Sequence, residues 1–214
     1  ESVANPSGNI ADLDAIAAQA HAHGVAVIVD NTSATPLLIR PFDHGADVVV
    51  HSATKYIGGH GNAIGGVIVD GGRFDWAAHR ARYPQFTTPE PAFHNFVITE
   101  KFPEFPFVAR TRTVVLRNSG ASLAALSSFL LLQGLETLPL RLDRISSNTR
   151  ELLDFLVQHP QVSHVSHVTL TTHPDHAHAR RYLRCMHVPG LISFELYGGR
   201  DAARRFYDAL QLFQ

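Results

Sequence analysis

A lysine and an aspartate follow two consecutive strand-like segments of this sequence. Asp30 comes directly after the short β-branched run 25–29, and Lys55 follows a second such run, 46–51. An amine and a carboxylate at these positions can do covalent or acid–base chemistry, because ligands of open α/β sheets collect beyond the carboxyl ends of the strands. If the two strands are near neighbours, we expect Asp30 and Lys55 to face one crevice.

The residue types around Lys55 match the needs of pyridoxal 5'-phosphate. This cofactor needs an amine for a Schiff base, a carboxylate that keeps its pyridine nitrogen protonated, and donors for its phosphate. Lys55 can supply the amine and Asp30 the carboxylate. Ser52 and Thr54 can supply part of the phosphate site, and Asn5 could donate a hydrogen bond to the ring hydroxyl.

Each of these residues also has an ordinary structural interpretation. A lysine after a strand is usually a solvated charge, and the sequence from Asp30 to Thr32 can form an Asx turn. Ser52 and Thr54 are common turn residues. Spacing alone therefore leaves both interpretations open, since Asp and Lys also follow strands in other α/β enzymes.

The elements before and between these residues predict an α/β domain. Residues 12–23 have helical periodicity, with Asp12 as the N-cap and Gly24 at the left-handed C-terminal position. Buried strands are predicted at 25–29, 46–51 and 66–69. Helix followed by strand with short links favours a largely parallel sheet covered by helices.

Residues 73–118 differ, because aromatic residues, prolines and arginines alternate there without a sustained period. We expect a long packed excursion rather than a disordered loop. Residues 121–133 predict a buried helix. Residues 137–158 predict an amphipathic helix with Pro139 in its first turn. Its predicted buried stripe is Leu138, Leu142, Ile145, Leu152 and Leu156.

The last third of the sequence predicts a second, smaller unit. Strands are expected at 162–168 and 190–197, and a helix at 201–212. We therefore predict a cofactor-binding domain over 1–133, with 73–118 as an extended insertion, and an incomplete C-terminal α/β domain over 134–214.

Composition excludes several classes of partner. The formal net charge is -1 and charged residues make up 17% of the 214, which argues against nucleic-acid binding. No apolar run reaches the length of a membrane span. The single cysteine, Cys185, cannot form an intramolecular disulfide, which favours a reducing, cytoplasmic compartment. We expect small-molecule partners.

Several motifs together closely resemble the Cys/Met-metabolism family of pyridoxal-phosphate enzymes, along nearly the whole chain. They are Glu1-Ser2 with Asn5-Pro6, Val29-Asp30-Asn31-Thr32, Thr35-Pro36, Gly45-Ala46-Asp47, His51-Ser52-Ala53-Thr54-Lys55-Tyr56 and Gly58-Gly59-His60-Gly61. Within the family, the extended segment 73–118 and the run 131–138 are most similar to the sulfhydrylases that act on O-acetylhomoserine.

The resemblance implies a type I aminotransferase fold and a role for each predicted residue. Lys55 would be the Schiff-base lysine and catalytic residue, and Asp30 would pair with the pyridine nitrogen. Ser52 and Thr54 would hold the phosphate, and Asn5 would contact the ring hydroxyl. The implied reaction is γ-replacement, in which O-acetylhomoserine and sulfide give homocysteine and acetate. The resemblance also implies a homo-oligomer, a dimer or tetramer.

Family members extend further at both ends. We therefore expect a fragment that lacks a phosphate loop, a stacking aromatic residue and the arginine that clamps the substrate carboxylate, and that is inactive alone.

Three alternative functions stay open. The first is a cystathionine γ-synthase, a cystathionine γ-lyase or a methionine γ-lyase of the same family, and the second is a non-catalytic remnant. A third is a metal-binding module, suggested by 14 histidines, although usual ligand spacings are lacking and solvated loop histidines are favoured. The candidate ligands of such a module are His21, His23, His44, His164, His167, His173, His176 and His178.

Overall fold

The computed structural model describes residues 1–184 and 187–212, so the predicted free thiol of Cys185 lies outside the described residues. The strands are β1 (Ile28–Asp30), β2 (Val48–Ser52), β3 (Gly66–Asp70), β4 (Pro89–Glu90), β5 (Phe96–Val97), β6 (Val162–Ser166) and β7 (Ser193–Leu196). The helices are α1 (Leu13–Ala22), α2 (Thr35–Leu38), α3 (Pro84–Thr87), α4 (Ile98–Lys101), α5 (Pro106–Arg110), α6 (Arg117–Ser119), α7 (Ala125–Glu136), α8 (Leu138–Gln158), α9 (His176–Tyr182) and α10 (Gly199–Asp208). A membrane-spanning helix, which would have to be long and apolar, does not occur within the described ranges.

The sheet at the centre of the fold has the order β1-β2-β3. Strands β1 and β2 are parallel, with Asp30 opposite Val50, whereas β2 and β3 are antiparallel. The α/β class is confirmed, but the expectation of a largely parallel sheet holds for only one of these two pairs. Residues 53–65, which join β2 to β3, contain no helix, and a parallel connection normally needs a crossover helix.

Local sequence signals predicted the ends of α1 and α8 to within one residue. The Asp12 side chain accepts a hydrogen bond from the Ala15 N–H at 3.1 Å, and Gly24 has a φ of 63°.

The predicted buried stripe of α8 is wrong at Leu152, whose side chain is 48% exposed, while Leu153 is buried. Positions 142, 146, 149, 153 and 156 are buried, which follows the 3.6-residue period.

Helix α7 was predicted to be buried, and this was wrong for the described chain. Leu126, Phe129 and Leu132 are 69%, 56% and 59% exposed, and only Leu131 and Gly134 of the helix are buried. The helix is apolar on all sides, so its composition did not show which side faces the core.

Segment 73–118 folds as a packed unit with a cluster of its own, as expected. Trp76, Phe86, Ile98 and Ala109 are buried together. The ring centroids of Trp76 and Phe86 are 4.5 Å apart, within the range of favourable aromatic pairs. Whether this unit is an insertion stays a prediction.

The C-terminal part contains an antiparallel β6–β7 pair, as predicted for the strands, and the helix α10. Helix α9 was not predicted. Its residues Ala179 and Tyr182 pack into the main core with Leu13 and Val29, so α9 contributes to the core that the N-terminal elements form. The boundary near residue 134 stays a prediction.

We predict that Ile98→Ala lowers the free energy of unfolding by about 2–5 kcal/mol, because this fully buried side chain would leave a cavity in the aromatic cluster. Urea unfolding measures the change. Val115→Ala, in the same segment at a 57% exposed position, is the control and should cost less than about 0.5 kcal/mol. If both substitutions lower the free energy of unfolding by the same amount, segment 73–118 does not unfold together with the rest of the chain.

Candidate active site

A cavity of about 820 Å³ opens beyond the carboxyl ends of β1 and β2. Four of the five predicted site residues, Asn5, Asp30, Ser52 and Lys55, line it. Because β1 and β2 are parallel neighbours, Asp30 and Lys55 follow strand ends at the same edge of the sheet. The expected shared crevice is therefore present.

Thr54 is the exception among the predicted residues. Its hydroxyl donates to the Gly65 carbonyl at 3.2 Å and accepts from the Gly65 N–H at 3.0 Å, and it does not belong to the cavity lining. The hydroxyl proton is therefore used within the protein, and the predicted phosphate contact of Thr54 stays a prediction.

Asp30 is held so that one carboxylate oxygen remains available. The Ser2 N–H donates to the Asp30 carbonyl at 2.9 Å, and the Thr32 N–H donates to Asp30 Oδ1 at 2.9 Å. The second contact is the Asx turn considered from the sequence, so that interpretation and a role in the cavity are compatible. Oδ2 accepts no hydrogen bond from residues 1–184 or 187–212.

One hydrogen bond joins the exits of the two strands, and a buried side-chain network holds the residue that follows Asp30. Thr32 Oγ1 accepts a hydrogen bond from the Ser52 N–H at 2.7 Å, which joins the exit of β1 to the exit of β2. Asn31 is fully buried, and its side chain accepts from the Ser2 hydroxyl at 2.6 Å and donates to the Thr35 carbonyl at 3.0 Å. A buried, satisfied polar network of this kind rigidifies its surroundings.

Lys55 stands on a tight turn that follows β2. The Lys55 N–H donates to the Ser52 carbonyl at 3.2 Å, and the Gly59 N–H donates to the Lys55 carbonyl at 2.7 Å. The sequence contains only one other lysine, Lys101, which lies in segment 73–118 with its amine 5.0 Å from the centre of the Phe96 ring. Lys55 is therefore the one lysine of the cavity lining.

Two titratable neighbours add no charge to the cavity at neutral pH. Burial lowers the pKa of His51, although a hydrogen bond with the Asn31 backbone and the charge of Asp30 act in the opposite direction. Burial raises the pKa of the Tyr56 phenol. Both shifts favour the uncharged forms, so the His51 imidazole is neutral and the Tyr56 phenol keeps its proton.

The sequence prediction missed several lining residues, including Thr32, Tyr56, Arg141 and Arg144. Thr32 and Tyr56 lie beside predicted residues, so proximity in the chain could have found them. Arg141 lies on α8, 85 positions after Tyr56, and donates to the Tyr56 carbonyl at 2.7 Å. No local signal marked it, because only the packing of α8 against the turn brings it there.

The donor set of the cavity fits pyridoxal phosphate. It offers the Lys55 amine, Asp30 Oδ2, which has no donor among the described residues, and the hydroxyl groups of Ser33 and Ser52. It does not fit a metal centre, since no group of three or more His, Cys, Asp or Glu side chains converges anywhere in the described ranges.

The histidines were expected to be solvated loop residues, and this is wrong for His167. Its side chain is 1% exposed and is hydrogen-bonded to Thr169 and to the Pro189 carbonyl.

A family model described as Cys/Met metabolism PLP-dependent enzyme matches residues 1–214. The chain belongs to this family. It is 46% identical to a homocysteine synthase of Schizosaccharomyces pombe over 213 residues, 99% of this chain and 49% of that protein. It is 44% identical to O-acetyl-L-homoserine sulfhydrylase 1 of Thermus thermophilus, over 99% of this chain and 50% of that protein. The chain thus spans about half the length of the curated relatives it matches.

The fold is that of solved members of the family. A Campylobacter jejuni protein described as an O-acetylhomoserine (thiol)-lyase superposes with a TM-score of 0.93 at 39% identity, over all of this chain and 53% of that one, and carries N'-pyridoxyl-lysine-5'-monophosphate. A cystathionine gamma synthase of Xanthomonas oryzae, in complex with aminoacrylate and cysteine, superposes with a TM-score of 0.73 at 32% identity, over 99% of this chain and 46% of that one. The expected type I architecture is confirmed.

We predict that Thr32→Val lowers the free energy of unfolding by about 1–3 kcal/mol, because the partly buried Ser52 N–H would lose its acceptor. Urea unfolding measures the loss. Ser33→Ala is the control, since Ser33 lines the same cavity and should change the stability by less than about 0.5 kcal/mol. If the two variants unfold at the same urea concentration, the link between the strand ends is not important for stability.

Proposed function

We propose that this chain carries the cofactor lysine of an enzyme that replaces the γ-substituent of O-acetylhomoserine with sulfide. The observation that carries the proposal is the placement of Lys55 and Asp30 on one cavity in a member of this family. Relatives named homocysteine synthase and O-acetyl-L-homoserine sulfhydrylase, at 46% and 44% identity, support the choice of reaction.

Each of the residues predicted from the sequence has a proposed task. Bound pyridoxal phosphate supplies the electron sink for carbanion chemistry. Lys55 would hold the cofactor through its amine, and the same amine would carry the proton of the substrate α-carbon. Asp30 would pair with the pyridine N–H through Oδ2, because Oδ1 is already used by the Thr32 N–H. Ser52 would donate to the phosphate and Asn5 to the ring hydroxyl, whereas donation by Thr54 would require its hydroxyl proton to leave the Gly65 carbonyl.

In the proposed reaction the bond from the substrate γ-carbon to the acetate oxygen breaks, and a bond from that carbon to sulfur forms. Arg141 and Arg144 also line the cavity, and their cations favour anionic ligands there. The substrates proposed for the full-length protein are therefore a small amino acid ester and sulfide.

We also propose a cytoplasmic homo-oligomer. One cysteine among 214 residues supports a reducing compartment. The exposed apolar side chains of α7 support contact with another copy, because large exposed apolar patches usually mark interaction surfaces.

The chain has two lysines, which makes the assignment of Lys55 directly testable. We predict that pyridoxal phosphate followed by borohydride places a phosphopyridoxyl group on the peptide that contains Lys55, as mass spectrometry of the digest shows. Lys55→Ala should remove this labelling, while Lys101→Ala should leave it unchanged, since Lys101 lies in another part of the fold. Equal labelling of both lysines would refute a specific site.

The choice of nucleophile separates the proposal from its alternative, a cystathionine γ-synthase. We predict that the full-length enzyme forms homocysteine from O-acetylhomoserine and sulfide with a kcat/KM more than about tenfold above that for cystathionine formation from cysteine. Chromatography of the products measures both rates, and Lys55→Ala provides the blank. A preference for cysteine would favour the alternative.

A further inference from the structure

Arg141 makes an unusual set of contacts with the turn that carries Lys55. Its guanidinium donates to the carbonyls of Tyr56 at 2.7 Å and Ile57 at 3.1 Å, which are the first two carbonyls after Lys55. It also donates to the Gly134 carbonyl at 2.7 Å, and its Nε donates to Thr137 Oγ1 at 3.2 Å. One side chain thus joins the turn after β2 to the junction between α7 and α8.

The glycines around Arg141 show that this junction is closely fitted. Gly59 has a φ of 70°, and a Cβ at this position would overlap the Arg141 guanidinium. A Cβ at Gly134 would overlap the Gly58 carbonyl, so α7 approaches the backbone of the turn directly. Glycine is required at both positions, because no other residue allows such an approach.

The chemistry of the guanidinium suits this position better than an ammonium would. Arginine presents five donors in a planar fork, whereas lysine is a compact charge with three donors on a flexible stem. Burial lowers the pKa of Arg141, but a guanidinium remains protonated at any physiological pH. Its hydrogen bonds to the turn are therefore charge-assisted at any physiological pH.

We propose that Arg141 is a positioning residue that fixes the direction of the Lys55 amine by clamping the carbonyls of residues 56 and 57 against the α7–α8 junction. It need not touch the reacting atoms. Since these carbonyls lie one and two positions after Lys55, release of the clamp would let the turn rotate and would spread the positions of the amine. The effect on cofactor attachment rests on the function proposed above, whereas the effect on the turn does not.

Hydrogen–deuterium exchange of the full chain without added cofactor tests the clamp directly. In Arg141→Lys, we expect the amides of Gly58 and Gly59 to exchange at least about tenfold faster, because the planar bridge between carbonyls is lost. The amides of Val49 in β2 and Ile98 in segment 73–118 should change less than about twofold. Arg200→Lys, on the exposed surface of α10, is the matched control and should leave all four unchanged.

A second readout follows attachment of the cofactor. The rate at which pyridoxal phosphate becomes reducible onto Lys55 should fall at least about tenfold in Arg141→Lys and not in Arg200→Lys. Unchanged exchange at Gly58 and Gly59 would overturn the proposal. Equally raised exchange at Val49 and Ile98 would also overturn it, since Arg141 would then stabilise the whole fold rather than the turn.

The two proposals fail separately. If the parent chain attaches no cofactor at Lys55, the proposed function is wrong, while the exchange data still decide whether Arg141 orders the turn. If attachment is specific but equally fast in Arg141→Lys, the function stands and the positioning role is rejected.

Discussion

The parallel pairing of β1 with β2 is the constraint on which the candidate site depends. It places the residues after both strands at one edge of the sheet, so that Asp30 and Lys55 line the same cavity although 25 positions separate them. The hydrogen bond from the Ser52 N–H to Thr32 Oγ1 then fixes the distance between the two strand exits. A slip of one residue in this register would turn each side chain after the strands to the other face.

Around this edge, several polar groups of the turns are hydrogen-bonded within the protein. Asp30 uses Oδ1 in its own turn and keeps Oδ2. The carbonyls that follow Lys55 are bound by Arg141. Because these groups are satisfied within the protein, a bound ligand does not have to compete for them, and the site is organised before the cofactor arrives.

Helix α7 and strand β3 of the described chain expose apolar side chains. In β3, the side chains of Val67, Ile68 and Val69 are 41%, 46% and 39% exposed. Sequence composition predicted α7 to be buried because Leu and Phe are usually inside. Composition does not identify what covers a surface, and no described element covers this one.

The sequence by itself determined the local features of this protein and pointed to four of the residues that line the cavity. Capping by Asp12, the positive φ at Gly24, Pro139 in the first turn of α8 and the residues after each strand all depend on neighbours in the chain. Only the tertiary structure decided the antiparallel direction of β3, the use of the Thr54 hydroxyl by Gly65, and the arrival of Arg141 at the Lys55 turn. These features depend on packing between segments far apart in the chain, and residue type and spacing carry no direct record of such contacts.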